Sequence, residues 1–237
     1  MKNKITLLTL VLISLFTTAK AQINWDIKGF SGIDVSGNIE LLLQQASTEA
    51  VEVYPANMEV QDLDIYVDGN GILKIQALKS LVFDRRPIRI KVSYNQLHSV
   101  KAIAGAEVTA KNPIVSESLW IKAGSGAQIE LTIDANELEA KATEGGELEL
   151  KGKVNSQYAF AATGGEYDGL DLKCLHTEAR ATTGGEVMVI AEENLTATAN
   201  TGGSIEYYGD AKIQRMQTGL SGKVRKLKNR GIRVEWN

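Results

Sequence analysis

The chain has 237 residues, with 26 Lys and Arg against 29 Asp and Glu and a formal net charge of −3. The charges are unevenly spread: residues 22–209 carry 15 basic and 27 acidic side chains, whereas residues 210–237 carry 8 basic and 2 acidic ones. An acidic body argues against a nucleic-acid-binding function, because that function depends on basic side chains that neutralise phosphates.

The first 21 residues have the pattern of an export signal. Two lysines precede a nearly wholly apolar stretch at residues 5–16, and Ala19 and Ala21 are small residues of the kind that a signal peptidase recognises. The apolar stretch is too short to span a bilayer, and no later stretch is long and apolar enough. We therefore predict a signal peptide at residues 1–21 and a mature protein located in the periplasm, at the cell surface or outside the cell.

Residues 22–99 are rich in short alternating stretches of apolar and polar residues, but these have no regular period. Two such stretches flank Ser36-Gly37-Asn38, and the run from Asp68 to Gly71 between two others is a hairpin signal. We predict antiparallel or mixed strands here. They would begin the domain and cap one end of it, since an open sheet edge must be covered.

From residue 100 to residue 222 the sequence repeats about every twenty residues. Each repeat contains a glycine with an alanine three residues before it, and apolar and polar residues alternate on both sides of that glycine. The six glycines are Gly105, Gly126, Gly145, Gly164, Gly184 and Gly202. The six alanines are Ala102, Ala123, Ala142, Ala161, Ala181 and Ala199. This pattern predicts a strand, a corner and a second strand, with glycine in a backbone conformation that other residues resist.

The repeat favours a solenoid over a sandwich or a barrel. A coil that climbs one strand spacing per turn stacks equivalent residues about 4.8 Å apart, whereas repeated antiparallel hairpins would not keep the same residue type in the same slot. We therefore predict an all-β chain whose coils of about 20 residues form a parallel β-solenoid after a less regular β-rich cap. Residues 22–237 would form one continuous domain, in which the alanine column lines a narrow interior.

Residues 223–237 are basic, and their basic and apolar residues partly alternate. This pattern predicts a strand with a solvated face that caps the second end of the solenoid. Contact with anionic lipopolysaccharide, or with the acidic body of another copy in a homo-oligomer, is the alternative.

Acidic residues recur two positions after the corner glycine. The recurring acidic residues are Glu107, Glu147, Glu166 and Glu186, with Gln128 and Ser204 in the remaining repeats. Stacked carboxylates repel one another unless they are solvated or bridged by a cation. The column therefore indicates either an exposed row of charges or a ladder of Ca²⁺ ligands.

Aromatic residues recur on the outward-facing positions before the corner. Trp120 and Tyr158 each stand six residues before a corner glycine, and Phe160 lies two residues beyond Tyr158. Exposed aromatic rings stack on sugar faces and anchor protein interfaces. These three residues are the candidate binding patch for a glycan or a protein partner, unless they only cover the side of the solenoid.

Catalytic motifs are not visible in the sequence. Cys174 is the single cysteine, and His98 and His176 are the only two histidines, the residue type most often used as a general base. Coil lengths vary little, which leaves no room for the long loops that wall a catalytic cleft. We predict a protein that is not an enzyme. A polysaccharide-degrading enzyme on a β-helix scaffold is the rival hypothesis.

Four stretches resemble the putative autotransporter adhesin, head GIN domain family of exported Bacteroidetes-type proteins. They are FSGIDVSGNI at 30–39, LKI at 73–75, the serial Thr-Gly-Gly corners and YGDAKI at 208–213. The resemblance implies a right-handed parallel β-helix and an adhesin-like role, and it implies no catalytic residues. We therefore expect an exported binding or structural module that recognises a glycan or a protein at the cell envelope. A periplasmic component of envelope maintenance is a further alternative.

Overall fold

The computed structural model describes residues 23–25, 27–54, 63–77 and 87–228. The predicted signal peptide and residues 229–237 of the predicted C-terminal cap lie outside these ranges. Within them the regular structure consists of eighteen β-strands and contains no helix. Accordingly, no helix in this part of the chain has the length and apolar character needed to cross a membrane.

The strands differ greatly in length, because the longest ones, β11 to β13, run from one glycine corner to the next without interruption. In chain order they are β1 Ile23–Trp25, β2 Gly32–Ser36, β3 Ile39–Gln45, β4 Ala50–Tyr54, β5 Asp64–Val67, β6 Ile72–Gln76, β7 Ile88–Tyr94, β8 Ser99–Ile103, β9 Glu107–Ala110, β10 Ile114–Gly124, β11 Gln128–Thr143, β12 Glu147–Ala162, β13 Glu166–Thr182, β14 Glu186–Ile190, β15 Asn194–Ala199, β16 Ser204–Tyr208, β17 Lys212–Thr218 and β18 Lys223–Lys226.

The strands form a parallel β-solenoid of about seven turns, which confirms the predicted fold. Strand β11 pairs in parallel with β10 before it and β12 after it, and β12 pairs in the same way with β13. We call the segments that precede the corner glycines the pre-corner face and those that follow them the post-corner face. The pre-corner face comprises β8, the C-terminal parts of β10 to β13, β15 and β17.

The predicted alanine column is confirmed. Ala142 is paired in register with Ala123 on one side and Ala161 on the other, and the remaining alanines of the six continue the stack. All six side chains are completely buried. A small side chain is required at this position because the walls of the coil approach each other closely beside the corner.

The corners are tight turns in which two successive residues have positive φ. The six glycines have φ between +70° and +78°, as the sequence predicted. The residue before each glycine also has φ between +50° and +57°, although it is Ala, Ser, Glu or Thr. The corners stack through backbone hydrogen bonds, such as the one that the N–H of Gly164 donates to the carbonyl oxygen of Thr183 at 3.3 Å. This ladder holds the strained residues in place.

The residue after the corner glycine touches the preceding coil. A Cβ at Gly146 would lie 2.6 Å from the carbonyl oxygen of Ala123, and one at Gly165 would lie 2.4 Å from that of Ala142. In each Gly-Gly pair, the first glycine therefore allows the positive φ of the corner, and the second leaves space for the backbone of the preceding coil.

The N-terminal region contributes coils of its own, and they do not stack in chain order. The coil formed by β2 and β3 lies between the coil of β6 and β7 on one side and that of β8 and β9 on the other. Three antiparallel pairings, β1 with β4, β4 with β7 and β5 with β6, finish this end of the sheet. Mixed pairing was predicted for this region, but its parallel coils were not.

At the other end, the beginning of the predicted cap extends the solenoid. Strand β18 pairs in parallel with β16. Strand β17 is exposed along its whole length, and Leu220 at the last corner is 81% exposed. Ile213 and Met216 continue interior columns of the solenoid, yet both are exposed here.

Candidate functional site

The acidic column lies on the post-corner face, where the structure places it in register. Gln128 stands between Glu107 and Glu147, and Glu166 and Glu186 follow in the same row. The amide of Gln128 donates a hydrogen bond to Oε2 of Glu147 at 3.0 Å. The residue that interrupts the acidic row thus binds one of its neighbours.

A second acidic row lies beside the first and is partly neutralised. Lys151 Nζ contacts Glu130 Oε1 at 2.9 Å and Glu149 Oε1 at 3.0 Å. The hydrogen bonds that Lys151 donates to these two carboxylates, first to Glu130 and then to Glu149, raise the pKa of Lys151. Among the described residues, no group of three or more His, Cys, Asp and Glu side chains is arranged to hold a metal ion. The described part of this face thus contains both paired and solvent-exposed carboxylates.

The three predicted aromatic residues share the pre-corner face. Along one outward row, successive coils present Trp120, Glu139, Tyr158 and Glu178, so that aromatic rings and carboxylates alternate. Phe160 lies in the adjacent row, which also contains Lys141 and Arg180. All three aromatic side chains are partly exposed.

The aromatic rings are held in place by their neighbours. The rings of Tyr158 and Phe160 stack with centroids 6.4 Å apart and an interplanar angle of 7°. Lys141 Nζ lies 6.0 Å from the centroid of the Tyr158 ring and 2.5 Å from Glu139 Oε1. These contacts fix the orientation of Tyr158, whose side chain remains partly exposed.

A depression of about 460 Å³ runs beside this aromatic row. We call it the pre-corner groove. Besides Leu138 and the buried Gln157 and Thr177, its lining residues are Ser118, Glu137, Glu139, Ser156, Tyr158, His176, Glu178, Asn194 and Thr196. Many of them stand eight residues before a corner glycine and so form one row along the solenoid. This row was not predicted from the sequence, although the twenty-residue repeat contains it.

Much of the hydrogen-bonding capacity of the groove is unused. In the part of the chain that the structure describes, the side chains of Ser118, Glu137, Ser156, Glu178 and Thr196 have no hydrogen-bond or ion-pair partner. His176 and Asn194 do contact each other, with the amide of Asn194 2.9 Å from Nδ1 of His176. On the post-corner face, by contrast, some of the carboxylates have hydrogen-bond or ion-pair partners, because Gln128 and Lys151 bind them.

The residues considered for catalysis are not brought together. Cys174 is 1% exposed, and burial raises the pKa of its thiol. The Sγ atom of Cys174 lies 3.2 Å from the backbone carbonyl oxygen of His176. His98 Nδ1 is 3.1 Å from Ser116 Oγ, but Ser116 donates its proton to the carbonyl oxygen of Ser118. The Ser116 hydroxyl thus has a backbone acceptor as well as the imidazole of His98 within hydrogen-bonding distance.

A second depression, of about 560 Å³, lies near the N-terminal end and is mostly apolar. Leu42 and Tyr54 line it, and Arg89 and Lys91 stand at its rim. Both cations are paired: Arg89 Nε lies 2.8 Å from Glu40, and Lys91 Nζ lies 2.9 Å from Glu52. The rim consequently offers little free charge to a ligand.

The fold and repeated corners agree with one known family. A family model described as "Putative auto-transporter adhesin, head GIN domain" matches residues 29–211. The chain belongs to this family. The resemblance noted in the sequence is thereby confirmed, and the match covers the N-terminal coils as well as the regular repeats.

Solved structures with the same architecture come from Bacteroides and Parabacteroides species. A putative adhesin from Bacteroides fragilis has 18% identity and a TM-score of 0.78, with 87% of this chain and 96% of that chain covered. A putative adhesin from Parabacteroides merdae has 20% identity and a TM-score of 0.64, covering 88% and 96%. A protein from Parabacteroides distasonis, named as a putative lipid binding protein, has 22% identity and a TM-score of 0.68, covering 88% and 96%. These similarities show the fold, and no curated protein matches the chain.

Proposed function

We propose that this adhesin-family protein is an exported, non-catalytic module that binds a glycan or a protein at the cell envelope through its pre-corner face. The single observation that supports this most is the unused bonding capacity of the pre-corner groove beside partly exposed aromatic rings. Free polar groups next to accessible rings are the usual composition of a recognition site.

Export is part of this proposal and rests on residues 1–21. Their charged start, apolar stretch and small residues before position 22 match a signal peptide. Membership of an adhesin family agrees with a location at or beyond the cell envelope. N-terminal sequencing of the protein from culture fractions tests the cleavage site directly, and an uncleaved chain retained in the cytoplasm would contradict it.

A non-catalytic role is supported by the dispersed positions of the candidate catalytic groups. Cys174 is buried and its Sγ contacts the backbone oxygens of Asn155 and His176, and the Ser116 hydroxyl donates to the carbonyl oxygen of Ser118. The enzymatic rival makes a clear prediction: purified protein would release fragments from a polysaccharide. Turnover that is lost when one groove carboxylate is replaced, for example in Glu178→Gln, would establish the rival.

The binding proposal is tested with purified protein on a glycan array and in pull-downs of envelope proteins. We expect binding to at least one ligand, reduced about tenfold by Tyr158→Ala. Tyr66→Ala is a matched control, because Tyr66 is 48% exposed on β5 and lies outside the pre-corner face. Binding that is absent in both assays, or that is equal in the wild type and in Tyr158→Ala, would overturn the proposal.

A further inference from the structure

The pre-corner groove has a repeat that matches the geometry of one class of ligand. We propose that it binds a linear, uncharged, β-1,4-linked glycan that lies along the solenoid axis, with one sugar unit per coil. The inference rests on the proposed binding function and specifies its ligand. It is supported by the spacing of the aromatic rings, the unused polar groups and the charge of the groove.

The spacing comes from the outward row that contains Trp120, Glu139, Tyr158 and Glu178. Because neighbouring coils are about 4.8 Å apart, the rings of Trp120 and Tyr158 are separated by two steps, or about 10 Å. In a β-1,4-linked chain each unit is turned over relative to its neighbours, so that the same face recurs every second unit at a closely similar distance. Two rings on alternate coils can therefore stack on alternate sugar units of one straight chain.

The polar groups between the rings suit the hydroxyls of such a chain. Glu139 lies on the coil between those of Trp120 and Tyr158, and Glu178 lies on the coil after that of Tyr158. Each carboxylate can accept hydrogen bonds from two neighbouring hydroxyls. Along the far side of the groove, Ser118, Glu137 and Ser156 present one polar side chain per coil. Each sugar unit therefore meets a ring or carboxylate on one side and a polar side chain on the other.

The charge of the groove favours an uncharged chain. Its lining includes the carboxylates of Glu137 and Glu178, together with that of Glu139, and His176 is the only basic residue among the lining residues. The ammonium group of Lys141 is already paired with Glu139. Lys122 and Arg180 belong to the adjacent row, on the side of the aromatic row away from the groove. A uronic-acid chain in the groove would face repulsion that is only partly screened at physiological salt.

Titration calorimetry of the purified protein with oligosaccharides of two to six units tests the inference. The probes are cello- and chito-oligosaccharides, with malto-oligosaccharides as curved α-linked controls and oligogalacturonates as acidic controls. We expect affinity for at least one β-linked series to rise about tenfold from two units to four, where both rings are engaged. The α-linked and acidic chains of equal length should bind at least about tenfold more weakly.

Two variants test the register of the sugar chain. Tyr158→Ala should weaken binding at every length, because this ring lies in the groove. Trp120→Ala should weaken the binding of four units about tenfold yet leave the binding of two units unchanged. Tyr66→Ala should have no effect at either length. Circular dichroism and thermal unfolding of each variant establish that the fold is intact.

Three results would overturn the inference: acidic chains that bind as tightly as neutral ones, affinity that does not depend on length, or an equal effect of Trp120→Ala on short and long chains. If none of these oligosaccharides binds but another glycan or a protein binds in a Tyr158-dependent manner, the inference fails while the proposed function stands. If no ligand depends on Tyr158, both fail.

Discussion

The hydroxyl of Tyr167 donates a hydrogen bond to Oε1 of Gln157 across the interior of the solenoid, at 2.7 Å. The amide of Gln157 in turn donates to Thr177 Oγ1 at 3.0 Å. The neighbouring coils have Leu138 and Leu195 in the same interior row. The two successive coils that carry Gln157 and Thr177 therefore replace aliphatic packing with a buried network whose hydrogen bonds are satisfied.

Removing the hydroxyl that supports this network should destabilise the protein. In Tyr167→Phe the buried Oε1 of Gln157 loses its donor, and we expect a loss of about 1–3 kcal/mol in the free energy of unfolding. Urea denaturation followed by circular dichroism measures the loss. Tyr66→Phe is the control, because that tyrosine is exposed. Equal stabilities of the two variants would contradict the assignment.

Three glycines should differ in their tolerance of alanine, each for its own reason. Gly165→Ala places a Cβ against the backbone of Ala142 and should cost about 3 kcal/mol. Gly164→Ala has free space but a φ of +70°, so about 1–2 kcal/mol is expected. Gly69→Ala meets neither constraint and should be neutral within about 0.5 kcal/mol. Thermal unfolding of the three variants gives the order, and a Gly164 variant less stable than the Gly165 variant would show that strain outweighs contact.

Stability should fall at acid pH partly through Glu52. Hydrogen bonds, first from the Tyr54 hydroxyl and then from Lys91, hold the pKa of Glu52 below its usual value of 4.5. A carboxyl with a lowered pKa stabilises the fold above its unfolded pKa, and this contribution is lost as the pH falls through the folded pKa. We therefore expect the loss to begin near pH 4.5 and to continue below it.

Urea midpoints between about pH 6 and pH 3 measure this effect. Glu52→Gln should show a shallower decline than the wild type. Glu192→Gln is the control, because its exposed side chain has no hydrogen-bond or ion-pair partner within the described residues. Identical pH profiles for the wild type and Glu52→Gln would refute the role of Glu52.

The acidic column should respond to ionic strength and not specifically to calcium. Rows of carboxylates one coil apart repel one another, and salt screens that repulsion. We expect the melting temperature to rise when NaCl is added from low salt, and CaCl₂ at matched ionic strength to give the same rise within about 1–2 °C. Differential scanning calorimetry makes the comparison. A larger, saturable increase with CaCl₂ would show that Glu107, Glu147, Glu166 and Glu186 hold the cation.

The sequence predicted the regular part of the fold because equivalent positions of a solenoid lie in one physical environment. Ala142 and Ala161 have the same neighbours, and so the same residue type recurs. The positive φ of residues such as Thr163 was not predictable, since a β-branched side chain resists that conformation and only the stacked corner enforces it. The order of the N-terminal coils also escaped prediction, because pairing of β2 with both β6 and β8 leaves no periodic signal.

The candidate site was predictable only in part. Period-two alternation placed Trp120 and Tyr158 on one outward row, and the structure agrees. The groove depends on how the chain bends before that row, and the availability of Glu137 and Glu178 depends on which cations lie near them. Both properties depend on how neighbouring coils are arranged in three dimensions, so they cannot be read from the sequence of a single repeat.

The position of the β2–β3 coil between two later coils affects how the protein is made. A ribosome releases residues 32–45 first, yet both neighbours of this coil, β6–β7 and β8–β9, are synthesised afterwards. The nascent coil thus has two open edges until β7 is complete at Tyr94, and one of them stays open until Ala110 has been added, a state prone to wrong pairing and suited to chaperone binding. Once closed, it has no free edge, and unravelling from the amino terminus must first remove the coil outside it.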